Sequence, residues 1–83
     1  MTGSVAEQFE QAVAFHRQGR LAQARKLYEA LLAVDPGHVP ALNFLGVLTG
    51  QIGDPLRSVE LISQAAALDP GQPGIHSNLA LAL

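Results

Sequence analysis

The sequence predicts an all-α fold, a helical-hairpin solenoid (an α-α superhelix) of five helices. Three observations carry that expectation. Val34-Asp35-Pro36-Gly37 returns as Leu68-Asp69-Pro70-Gly71, a period of 34 residues. Periods between about 20 and 50 residues mark repeat architectures. Apolar residues recur at helical spacing between these turns, the pattern of amphipathic helices. The composition agrees: 48% of the 83 residues are hydrophobic and only 5% are aromatic, as in packed helices.

Each element has its own signals. Ser4 and Glu7 have the spacing of a capping box, in which each side chain satisfies the other's free N–H. A first helix is predicted over about Val5 to Gln18, carrying Phe9, Ala12, Val13 and Phe15, with Gly19 as its stop. A second is predicted over about Leu21 to Val34, burying Leu21, Ala24, Leu27, Tyr28, Leu31 and Leu32. Pro36 ends it, because a proline inside a helix costs about 3 kcal/mol and disfavours helix at the residue before it. Pro40 suits the first turn of a third helix, which carries Leu42, Leu45, Val47 and Leu48 and stops at Gly53. Asp54-Pro55 is a cap followed by proline at the first helical position. The fourth helix is predicted over about Pro55 to Leu68, and Pro73 opens a fifth that runs to Leu83.

Residues 1–83 are expected to form one domain: repeat one over about 5–38, repeat two over about 39–72, and a partial third over 73–83. The period aligns Ala12 with Gly46 and Ala80, Gly19 with Gly53, Ala24 with Ser58, and Tyr28 with Ile62. Small residues let neighbouring helices approach, and larger apolar ones fill the gaps. Such a hairpin cannot bury its apolar faces alone, so units stack.

The stretches Ala12…Phe15…Gly19…Leu21…Ala24…Tyr28…Asp35-Pro36 and Leu42…Leu45-Gly46…Gly53-Asp54…Ser58…Ala65…Leu68-Asp69-Pro70 resemble the tetratricopeptide repeat family. Asn78-Leu79-Ala80 looks like the opening helix of a third repeat. The chain is also similar to N-terminal arrays of this kind in bacterial multidomain proteins. Leu31 stands where the family usually has a small residue, and Pro55 where it usually has a large apolar one. Gln8 and Gln11 occupy positions that are usually apolar.

Several function classes are disfavoured. A net charge of −2 does not suit a nucleic-acid partner, whose binding rests on clustered Lys and Arg. No apolar stretch approaches the roughly 20 residues that span a bilayer, and no basic-then-apolar leader opens the chain. A cytoplasmic location is the expectation. Cysteine is absent, and no His-Glu-x-x-His or glycine-rich phosphate motif is present. Neither a catalytic residue, a metal nor a cofactor is expected. His38 reads as a solvated turn residue, His76 as packing against the fourth helix, and His16 with Arg17 as complements to a helix C-terminus.

The resemblance implies a concave groove lined by the first helix of each repeat. It places Phe9, Glu10, Val13, His16 and Arg17 there, with Asn43, Phe44, Val47, Gly50 and Gln51, and Ser77, Asn78 and Leu81. Val13, Val47 and Leu81 would form an apolar line. The partner-binding set is Phe9, Val13, His16, Arg17, Asn43, Phe44, Val47, Gln51 and Asn78. An apolar helix or peptide is the expected partner, held in register by Asn43, Gln51 and Asn78. The alternative is that Phe9 and Phe44 pack within the solenoid.

Family members that bind chaperone tails use a Lys, Asn and Arg clamp. The matching positions here are Phe9, Val13, Phe44, Gly74 and Asn78, so that use is disfavoured. Arrays preceding O-linked glycosyltransferases carry an Asn ladder, of which Asn78 matches one rung. The functional expectation is a non-catalytic interaction scaffold. The alternatives are a substrate-recognition arm of a larger glycosyltransferase, methyltransferase or sulfotransferase, and a self-association module. The apolar end Leu79-Ala80-Leu81-Ala82-Leu83 suggests a piece of a longer array that dimerises through helix 75–83.

Overall fold

The computed structural model describes residues 4–82. Five helices follow in order: α1 (Val5–Arg17), α2 (Leu21–Val34), α3 (Val39–Gln51), α4 (Pro55–Leu68) and α5 (Pro73–Ala82). α1 ends one residue before the expected Gln18, which is its C-cap. The expected continuation of α5 to Leu83 lies outside the described residues. None of the described helices is long and apolar enough to cross a membrane.

The turns repeat in hydrogen bonds as well as in sequence. After α1, the Gly19 N–H donates to the His16 carbonyl and the Arg20 N–H to Phe15, at 3.1 and 2.9 Å. After α3, Gly53 donates to Gly50 and Asp54 to Thr49, at 3.2 and 2.8 Å. This is a Schellman ending, which needs a left-handed residue after the cap. Gly19 and Gly53 supply it with φ of 77° and 91°. The Asp-Pro-Gly turns work differently. His38 donates to Asp35, and Gln72 to Asp69, at 3.1 and 3.3 Å, with neither Gly37 nor Gly71 left-handed.

The caps follow the sequence. Ser4 and Glu7 form the full capping box, with Glu7 N–H donating to Ser4 Oγ at 3.0 Å. Asp54 caps α4 by accepting from Arg57 N–H at 3.2 Å. The solvated reading of His38 is corrected: its Nδ1 accepts from Ala41 N–H at 3.1 Å and caps α3. The packing reading of His76 is corrected too. Its ring is exposed, and Nε2 donates to the Pro70 carbonyl at 2.7 Å, back across the turn rather than onto α4.

The core runs along the chain of hairpins. It contains Ala12, Ala24, Tyr28, Leu31, Leu42, Leu45, Leu48, Leu61, Ile62 and Ala65, with Ile75 from α5. Leu21, Leu27 and Leu32, expected to be buried, sit at its rim and are only half-buried. Leu31 is fully buried despite its bulk at a position usually small in the family. Each large apolar side chain so buried contributes about 1.5–3 kcal/mol. Thr49 is buried in α3 and spends its hydroxyl on the Gly46 carbonyl at 2.9 Å.

α3 and α4 approach each other closely at Gly46. A Cβ there would overlap Ile62 Cγ1 and stand 3.3 Å from the Ile62 backbone nitrogen. Ile62 branches at Cβ, which leaves its χ1 little freedom in a helix. Gly46→Ala is therefore expected to lose about 1–2 kcal/mol in urea unfolding, because overpacking outweighs the roughly 1 kcal/mol that alanine gains in helix propensity. Ile62→Ala in the same chain should recover that increment, read as a positive coupling between the two sites.

Candidate functional site: the groove of α1, α3 and α5

The first helix of each repeat contributes side chains to a cavity of about 460 Å³. α1 supplies Val13, His16 and Arg17; α3 supplies Asn43, Phe44, Val47 and Gln51; α5 supplies Asn78. That volume lies in the range of small ligand sites, about 300–1,000 Å³. Eight of the nine residues assigned to partner binding thus share one recess. The ninth, Phe9, lies outside it, in a neighbouring depression with Glu10, Val13, Ala14 and Arg17.

Phe9 and Phe44 are half-buried and packed on each other, ring centres 5.4 Å apart in an edge-on arrangement. Tyr28 lies 6.3 Å from Phe9 and 6.5 Å from Phe44, and His38 lies 5.4 Å from Phe9. Such spacings are favourable for aromatic pairs. Phe9 therefore belongs mainly to the solenoid, while Phe44 both packs and lines the recess.

The polar residues are tied to one another across repeats. His16 Nε2 meets Gln51 Oε1 at 2.6 Å, and His16 Nδ1 meets the Tyr28 hydroxyl at 3.2 Å. A glutamine oxygen only accepts, so Nε2 carries the proton, and in the neutral ring Nδ1 accepts from Tyr28. Asn78 Nδ2 donates to Asn43 Oδ1 at 3.1 Å. Asn43, Gln51 and Asn78, expected to be free for a partner, have already committed part of their hydrogen-bonding capacity to these rungs. Each amide still has a second polar atom.

A second chamber of about 290 Å³ continues the first, sharing Val47, Gln51 and Asn78 and adding Gly50, Ser58, Ile62, Leu81 and Ala82. Gly50 makes its depth. A Cβ there would stand 3.2 Å from Ser58 Oγ, and Ser58 is 3% exposed. The expected apolar line of Val13, Val47 and Leu81 is broken up: the valines are half-buried, Leu81 is exposed, and Leu81 reaches only the second chamber. Ser77 is exposed and lines neither chamber. The depth at Gly50 was missed from the sequence. Its signal was the period itself, which sets Gly50 opposite His16.

Burial pushes the Tyr28 phenol up to about 12, against a smaller opposing pull from the Arg17 charge. Arg17 itself is exposed. Among the described residues the one ion pair is Arg57–Glu60, at 3.1 Å on α4. No group of three His, Asp or Glu side chains among these residues is placed to hold a metal ion.

A stack of helical hairpins with a side-chain-lined groove defines a helical-repeat protein. The tetratricopeptide repeat model matches residues 5–48, and the chain belongs to this family. Such repeats generally mediate protein–protein interaction and are typically non-catalytic.

Tyr28 gives the structure an alkaline limit. Its phenol holds a proton in the folded state above pH 10, where the unfolded chain has released it. Stability is therefore present below pH 10 and lost as pH rises towards 12, by up to roughly 1.4 kcal/mol per pH unit. Comparison of thermal unfolding between native protein and Tyr28→Phe should show a steeper decline in the native chain over that window.

Proposed function

We propose that this domain is a non-catalytic scaffold that binds a peptide or helix of a protein partner in the groove of α1, α3 and α5. The observation that carries this is the recess in which side chains from three successive first helices converge. It offers apolar walls at Val13, Phe44 and Val47 and polar rims at Asn43, Gln51 and Asn78. Apolar walls favour burial of partner side chains, and the remaining amide atoms suit a partner's backbone. A cytoplasmic location without nucleic-acid partners accords with the modest negative charge, and none of the described helices is long and apolar enough to cross a membrane.

Val47 lines both chambers, so Val47→Glu should block both. Selection of a random peptide-display library on the native chain is expected to enrich binders at least tenfold over Val47→Glu, with similar circular dichroism for the two proteins. Equal enrichment on both would remove the groove from consideration.

A second reading is self-association, favoured by Leu56 and Leu81, which are 81% and 86% exposed. Pro55, Leu56, Val59 and Ala82 also form an apolar depression of about 540 Å³, with Glu60 at its edge. Exposed apolar surface of this kind marks interaction sites. Light scattering should then show a dimer at micromolar concentration that Leu56→Lys with Leu81→Lys converts to monomer. A native chain that is monomeric throughout would rule this reading out.

A further inference from the structure

The two chambers are images of each other under the 34-residue period. Val13, His16 and Arg17 at the first become Val47, Gly50 and Gln51 at the second. The apolar wall is kept and the charge is lost. Arg17 thus places a full cation at one chamber and not at the next. No carboxylate lines the first chamber, and Arg17 makes no ion pair among the described residues.

Glu10 gives this charge a direction. It shares the neighbouring depression with Arg17 and Val13 but does not line the chamber. Glu10 and Arg17 stand seven positions apart in α1, which at 1.5 Å per residue is about 10 Å. The groove face of α1 therefore presents an acid, an apolar residue and a cation in that order. The Arg17 charge also reaches the Tyr28 hydroxyl that His16 covers, which places it near the recess.

Resting on the groove-binding reading above, we propose that the occupant is an acidic peptide segment. An Asp or Glu side chain of that segment sits against Arg17 in the first chamber, and an apolar side chain enters the second. A guanidinium offers planar paired donors that match a carboxylate. The reverse orientation would bring the partner's acid into the second chamber, away from Arg17, so the charge pattern also sets the direction of the chain. The second chamber, with Gln51 in place of the cation, accepts no charge.

Peptides enriched on the native chain over Val47→Glu supply the probe. They should share an Asp or Glu at one position. The best of them, fluorescently labelled, is expected to bind Arg17→Gln about five- to tenfold more weakly, with Arg17→Lys between the two. Replacing the peptide's acid by its amide should weaken native binding by a similar factor and leave Arg17→Gln unaffected. The Arg17-dependent part should shrink as salt is raised. Enriched peptides without a shared acid, or an equal loss for acid and amide peptides on Arg17→Gln, would overturn the acidic partner and leave the groove intact. Failure to enrich any peptide over Val47→Glu would overturn both.

Discussion

Everything in this domain depends on how closely α4 can lie against α3. Gly46 sets that distance, since its missing side chain is where Ile62 Cγ1 sits. Ala12 occupies the equivalent place in α1 and is fully buried, with Tyr28 rather than Ile62 at the position that follows by the same register. A larger residue at either site would push the second helix of its hairpin outward. The first helices would then no longer converge, and the recess between them would lose its walls. Packing at the back of each hairpin thereby determines the geometry at its front.

The turns perform the complementary task of fixing direction. The Schellman endings at Gly19 and Gly53 reverse the chain inside each hairpin, and the Asp-Pro-Gly segments join one hairpin to the next. The two turns differ in what they demand. The first requires a left-handed residue; the second requires only that helix stop, which proline achieves by lacking an N–H. The repeat is thus written twice, once in glycine conformation and once in proline chemistry.

Much of the fold was legible because its signals are local. Ser4 with Glu7, Asp54-Pro55 and the glycine stops act within a few residues of themselves, and they marked the helices to within a residue. The family register also placed eight candidate side chains on one face, because a fixed period with helical spacing determines which residues point together. What escaped was set by distances between helices. His38 reads as solvated until Ala41 N–H is seen beside its ring. Phe9 reads as a groove residue until Tyr28, Phe44 and His38 are found around it. The depth at Gly50 requires knowing that Ser58 lies behind it. Each of these needs a rotamer or an interhelical distance, and the pattern of one strand of sequence specifies neither.

The rungs His16–Gln51 and Asn43–Asn78 have a mechanical meaning. Both join residues 35 apart in the chain, one step beyond the period, so both slant in the same sense across the groove. The first is exposed to water and the second partly so, and a bond of that kind has a net worth of about 0.5–1.5 kcal/mol. Behind each hairpin, by contrast, stands a layer of fully buried Leu, Ile and Tyr. Thermal energy can open a rung while leaving that layer closed. Opening a rung costs far less than opening that layer, so the groove is the soft side of the solenoid and the buried layer its stiff one.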